Sequence, residues 1–154
     1  MRLTDQETVS EHSERQLVVF ALAGEEYALP INSVAEIIRF VEPRSIASFE
    51  PGLCGVIGLR GSIVSIYALA EVLGVAAPEG EPGKIIIVEV AGTRFGLTVD
   101  DVDEVRTVVA DQLEPVANGA SPAIEGIVRV EDRLIVLLEP DQLVDIQAPV
   151  ADVV

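Results

Sequence analysis

The chain has 154 residues, with 26 Asp or Glu against 10 Lys or Arg, for a formal charge of −16. Too few cations remain to displace phosphate counterions or to grip anionic lipid, which excludes an electrostatic nucleic-acid binder and a polybasic membrane anchor. Apolar residues make up 49% and the mean hydropathy is +0.43, too apolar for a disordered acidic chain, while aromatics are only 4%, so an aliphatic core is expected.

This length suits one domain, or two small lobes sharing a core. Residues 1–15 are polar, lack the apolar stretch of a signal peptide, and read as a mobile tail, as do residues 147–154. Apolar runs such as Leu17 to Ala23 and Ile85 to Val88 fall well short of the roughly 20 residues that span a bilayer. A single cysteine, Cys54, can form neither an internal disulfide nor a cysteine-based zinc site, and the cytoplasm is the expected compartment.

In chain order, Leu17–Leu22 and Tyr27–Ile31 read as two strands around a turn at Ala23–Glu26. The same pattern returns at an offset of 68, as Ile85–Val90 and Phe95–Val99 around Ala91–Arg94. Ala23, Gly24, Leu29, Val34 and Glu36 match Ala91, Gly92, Leu97, Val102 and Glu104 without a gap. After each hairpin stands a cap-like residue, Asn32 or Asp100. Ser33–Ile37 and Asp101–Val105 follow, each either one helical turn or a bulged strand. A second hairpin then turns at Leu59-Arg60-Gly61 in the first copy and at Glu131-Asp132-Arg133 in the second, now at an offset of 71. Ala68–Leu73, stopped by Gly74, and Pro140–Val144 are short helical candidates. Residues 76–83 form a Pro/Gly-rich linker, and 118–122 another loop.

Two aliphatic hairpins resemble one another in any case, but the shared Ala-Gly turn and the Val-x-Glu-aliphatic end favour a true repeat. We read units at 16–79 and 84–147, one per lobe. About five strands in each make two small barrels filled by their own side chains.

Catalytic groups are scarce. The only histidine, His12, lies outside both units, which removes a Ser-His-Asp or Cys-His arrangement. Cys54 reads as a small apolar filler or a loop thiol. Asp100, Asp101, Asp103 and Glu104 lack the spacing and central glycine of a calcium loop and read as a solvated turn; a carboxylate-dependent hydrolase using Asp100 or Asp103 is the enzyme alternative. Gly55-x-x-Gly58-x-x-Gly61 lacks the spacing of a nucleotide fingerprint, and Gly55 and Gly58 read as residues of a glycine-tolerant hairpin. Arg60, at a hairpin tip, is a solubilising charge, a partner contact, or an orienting salt bridge to a carboxylate such as Glu36. Val34 and Ile37 flank Glu36 as Val102 and Val105 flank Glu104; most are expected to pack inward, and any at a junction between lobes would line an apolar groove suited to an amphipathic helix.

The order and spacing of these pieces resemble the CheW family of chemosensory coupling adaptors over about residues 16–146. The features that carry it are Val19-Phe20-x-Leu22-x-Gly24-Glu25-Glu26-Tyr27, Val34-Ala-Glu36-Ile37, Gly55-Val-Ile-Gly-Leu59-Arg60-Gly61, Phe95-Gly96-Leu97-x-Val99-Asp100-x-Val102-x-Glu104-Val105, and Gly126-Ile127 leading into Leu134-Ile-Val-Leu-Leu138. The resemblance implies an all-β fold of two five-stranded SH3-like barrels around a shared aliphatic core with short helices, no catalysis and no cofactor. It also implies partners: the regulatory domain of a CheA-type histidine kinase, the cytoplasmic tips of methyl-accepting receptors, and similar domains within arrays at the membrane. By motif, Val34, Glu36 and Arg60 match partner-binding positions, Leu59 and Gly61 form the hairpin that presents Arg60, and Val105 matches a groove position. The family usually has Asn where Gly58 stands and a Pro and an Asp where Ser65 and Ala68 stand, so the kinase-facing surface is expected to depart from the usual one. A β-barrel interaction module of another signalling system is the alternative to the adaptor.

Overall fold

The computed structural model describes residues 14–48, 50–116 and 121–144. His12, most of the two expected tails and part of the 118–122 loop lie outside the described residues. The rest is mainly strand, in the order β1 (Glu14–Leu22), β2 (Glu25–Pro30), β3 (Val34–Arg39), β4 (Leu53–Leu59), β5 (Ser62–Ala68), β6 (Lys84–Val90), β7 (Thr93–Val99), β8 (Asp101–Val109), β9 (Leu113–Glu114), β10 (Ile124–Val130) and β11 (Arg133–Leu138). A short α-helix, α1 (Leu69–Leu73), follows β5 and ends at Gly74 in the left-handed region, where the Gly74 and Val75 amides return to the Glu71 and Ala70 carbonyls. The expected helix at Pro140 is a single 3₁₀ turn, Pro140–Gln142, and Asn32 sits within another, Ile31–Ser33, where its side chain caps nothing.

Hairpin turns explain much of the local order. Ala23-Gly24, Arg60-Gly61 and Ala91-Gly92 all have positive φ at both central residues, the geometry that matches the right-handed twist of flanking strands. Of the two undecided stretches, Ser33 ends the 3₁₀ turn while Val34–Ile37 and Asp101–Val105 resolve as strand. β3 carries a bulge between Val34 and Glu36 against β6, so Ala35 is the extra residue.

The strands form two antiparallel-rich sheets, β8-β1-β2-β11-β10-β9 and β3-β6-β7-β5-β4. Neither sheet belongs to one repeat. The first combines β1 and β2 with β8 to β11, and the second combines β6 and β7 with β3 to β5. Each repeat therefore contributes its first hairpin to the lobe that the other repeat completes, and parallel pairs β2·β11 and β5·β7 join the exchanged pieces. The assignment of one lobe to each repeat is corrected accordingly. Two copies of one pattern offer each strand two equivalent partners, so the sequence pattern does not distinguish exchanged from self-contained pairing.

Both sheets close in the same manner. Beyond β3 the chain curls until Arg44 pairs with Val56 of β4 at the opposite edge. Beyond β8 it curls through a 3₁₀ turn until Glu114 of β9 pairs with Ile127 of β10. Val56 and Ile127 are matched positions of the repeat. The glycines before them, Gly55 and Gly126, leave room for the crossing strand: a Cβ would lie 2.1 Å from the Arg44 carbonyl oxygen at Gly55 and 2.6 Å from that of Glu114 at Gly126. Gly55 is thus a closure residue, whereas Gly58 has open space above it, as its hairpin reading expected.

The core has three parts. Barrel interiors hold Leu17, Val19, Val128, Ile135 and neighbours in one lobe, and Ile57, Val64, Ile66, Ile85 and Ile87 in the other. The core between the lobes is mainly aliphatic, with Leu22, Leu29, Ile86, Leu97 and Leu138 among its residues, and Phe20, Tyr27, Tyr67 and Phe95 also pack there. Phe20 stacks on Tyr27 with centroids 6.0 Å apart, and Tyr67 meets Phe95 edge-on at 6.1 Å.

Candidate partner-binding surface

The β4–β5 hairpin tip is built to project one side chain. Arg60 sits at φ 52° and Gly61 at φ 82°, so the chain reverses in two residues. Leu59 packs beneath against the barrel interior. The Arg60 guanidinium stays 71% exposed, yet it is not free to wander. Its Nε donates to Glu36 Oε2 at 3.0 Å and its Nη2 to Glu36 Oε1 at 2.9 Å, a forked pair. The carboxylate comes from β3, where the bulge beside Ala35 sets its position. Hydrogen bonding from Arg60 holds the Glu36 carboxyl below the usual range, with further help from the charges of Arg60 and Arg94. The ion pair to Glu36, one of the readings open for Arg60, is therefore present.

The other expected positions fall elsewhere. Val34 is half-buried and packs against the core between the lobes, as does Val102. Ile37 and Val105 point outward, 40% and 54% exposed. Val105 lies on β8, in the other sheet from Arg60 and Glu36. The structure thus gathers Leu59, Arg60, Gly61 and Glu36 at one barrel end, adds Val34 beneath β3, and places Val105 separately. The depressions on the two sides of the lobe junction are lined neither by Val34 nor by Val105.

A counterpart at the end of the other barrel was not evident in the motif. Arg133 Nε and Nη2 donate to Glu26 at 2.9 and 2.7 Å, and Nη2 also reaches Glu104 at 3.0 Å. Glu104 is the repeat match of Glu36, but Arg133 stands two residues beyond Glu131, the match of Arg60. Two carboxylates hold Arg133 where one holds Arg60, and its side chain is 34% exposed. Large apolar side chains beside these ion pairs, Ile63 at 79% and Leu134 at 57% exposure, are again repeat matches. Strand alternation signals such outward residues once the inward face is known.

The aspartates do not converge. Asp100 accepts the Ala23 amide at 2.9 Å and so ties the β1–β2 turn to the end of β7. Asp101 is exposed, its carboxyl lowered by the Val102 amide and by Lys84. Asp103 is exposed on β8, raised by partial burial and by Glu26, Asp101 and Glu104. Burial raises the Cys54 thiol, with Glu71 adding to it, which makes it a poor nucleophile at neutral pH. Among the described residues no group of three or more His, Cys, Asp or Glu could hold a metal ion, and no helix is long and apolar enough to cross a membrane.

Two interlocked SH3-like barrels displaying braced arginines and outward aliphatic side chains define a class: a β scaffold that works by contact. Comparison with known proteins agrees. The family model described as CheW-like domain matches residues 16–148. The chemotaxis protein CheW of Bacillus subtilis (strain 168) is 30% identical over 135 residues, covering 84% of this chain and 86% of that one. CheW of Thermotoga maritima is 25% identical over 134 residues, covering 86% and 89%. The crystal structure of the scaffolding protein TtCheW from Thermoanaerobacter tengcongensis superposes with a TM-score of 0.76 at 32% identity, over 84% of this chain and 86% of that one. The chain belongs to the CheW family, non-enzymatic scaffold proteins of chemotaxis. The hydrolase alternative is set aside on that ground.

Proposed function

We propose that this chain acts in the cytoplasm as the adaptor between methyl-accepting receptor tips and the regulatory domain of a CheA-type histidine kinase, recruited to membrane-associated arrays and contacting similar domains there. The observation that carries this reading is the Arg60–Glu36 fork: a guanidinium held in one orientation while most of its surface faces water. Preorganised exposed arginines cost little ordering entropy when a partner arrives. In this reading Leu59 and Gly61 present Arg60, Val34 supports β3 from below, and Val105 offers apolar area to a receptor helix. Individual contacts need not be strong, because many linked sites multiply into avidity. The adaptor transmits a signal by favouring one geometry of the engaged kinase, with no chemistry of its own.

Arg60→Gly tests this. Glycine suits the left-handed turn position, so the variant is expected to keep the fold while losing the guanidinium and its exposed pairing with Glu36. In arrays reconstituted from receptor, kinase and adaptor, receptor control of kinase activity is expected to fall at least fivefold. Full control with folded Arg60→Gly removes Arg60 from the coupling surface. Val105→Glu places a charge on an already exposed position and is expected to weaken receptor-tip binding at least tenfold by calorimetry. Wild-type affinity would reject the role given to Val105.

A further inference from the structure

We infer that the cavity beneath the 75–83 segment is a binding site for a compact organic cation, an apolar body carrying one ammonium group. The cavity has a volume of about 370 Å³ and lies where the end of β1, the end of β7 and α1 meet under that segment. This is within the roughly 300–1,000 Å³ usual for small-molecule sites, which favour the mouths of barrels. Its apolar walls include Leu22, Ala70, Val75 and Val99.

A second feature points to a ligand. Thr98 lines the cavity and is 7% exposed, and its hydroxyl bonds to no described residue. Among the described residues no fully sealed polar side-chain atom lacks a partner, so this hydroxyl opens onto the cavity. Strand geometry accounts for its direction. Thr98 lies on the face of β7 opposite Leu97 and Val99, which fill the core between the lobes, and it pairs with Ala68 of β5. The small Ala68 side chain leaves space beside it.

The charge of the walls selects the ligand. Glu71 and Asp100 contribute carboxylates, and no Lys or Arg lines the cavity. Asp100 commits Oδ2 to the Ala23 amide, which leaves Oδ1 for another donor. Pro78 and Pro82, in the covering segment, have no N–H to offer. An anion would meet two carboxylates and no donor side chain other than Thr98. A wholly apolar molecule would strip water from the hydroxyl and carboxylates and return nothing. An ammonium on a small apolar body satisfies both kinds of wall. Leu22 belongs to one lobe and Thr98 to the other, so the ligand would bridge the two barrels. The inference does not depend on coupling to a kinase.

The test is titration of the full-length protein with benzylamine, benzyl alcohol and benzoate, followed by amide chemical shifts. Benzylamine is expected to saturate, with the largest shifts in residues 70–82 and 98–100. Benzyl alcohol should bind at least tenfold more weakly, and benzoate should give no saturable shift. Thr98→Val, isosteric, and Asp100→Asn, which keeps an acceptor for Ala23, should each weaken benzylamine at least fivefold. Benzylamine shifts that fail to saturate or map elsewhere, equal binding of benzoate, or undiminished binding by folded Thr98→Val would overturn the inference. The three-ligand comparison on the unmodified chain decides the matter even if a variant does not fold.

Discussion

Arg60 and Arg133 occupy comparable ends of the two barrels and spend their donors differently. One carboxylate braces Arg60 in the open, whereas Glu26 and Glu104 together enclose Arg133. These pairs also set the response to acid. Arg133 holds Glu26, and Arg60 holds Glu36, below the ordinary value of 4.5. A depressed carboxyl stabilises the fold above its unfolded value, and that contribution is lost as pH falls through the folded value. Asp103 and Glu139 run the other way. Burial, with Glu26 beside Asp103 and Asp141 beside Glu139, raises both. Their charged forms disfavour the fold, so stability rises as pH falls through their raised values. Acid also reduces the repulsion within a chain of charge −16. Urea midpoints measured from pH 8 to pH 3 are therefore expected to rise first, peak near the ordinary carboxylate values, and then drop. A steady decline from pH 8 would contradict this ordering. The Glu36 pairing was one of the readings open for Arg60 because Arg60 stands at a hairpin tip in a chain with few cations. Arg133 was not legible, since it sits two places beyond the matched turn position.

At the scale of elements, hairpins were legible because strand alternation and the Ala-Gly turns are local signals. Barrel closure was not, because it depends on a carbonyl from a distant segment. Gly55 and Gly126 mark those contacts. A methyl group at Gly55 would run into the Arg44 carbonyl, and at Gly126 into Glu114 and Leu113, all within 3.0 Å. At each position the nearest atom is a backbone carbonyl oxygen of a residue paired across the barrel, which cannot turn aside as a side chain can. Gly55→Ala and Gly126→Ala are each expected to lose about 1–3 kcal/mol, the usual cost of overpacking. Gly58→Ala, with nothing within 4 Å, is expected to change stability by less than about 0.5 kcal/mol. Denaturant midpoints for the three variants check the ordering. Equal effects at Gly55 and Gly58 would mean that closure by the Arg44 segment contributes little to the fold.

For the whole molecule, the exchanged hairpins make each lobe depend on both repeats. β1 pairs with β8 and β2 with β11, while β6 pairs with β3 and β7 with β5. The shared core draws Phe20 and Tyr27 from one repeat and Val88 and Phe95 from the other. A fragment ending in the 76–83 linker holds a first hairpin without its sheet neighbours, and strands β3 to β5 without theirs. Such a fragment exposes long unpaired edges and the aromatic face, so neither half should fold alone. Together the halves regain every strand pairing, because no ladder requires the linker itself. Residues 1–78 and 79–154, expressed separately, are expected to lack dispersed amide resonances, then to form a one-to-one complex with the spectrum of the intact chain when mixed. The complex should also melt lower as it is diluted, since joining two chains costs entropy that the linker otherwise saves. A dispersed spectrum from either fragment alone would mean that a repeat can close on its own first hairpin, and that the exchange is one of two accessible pairings.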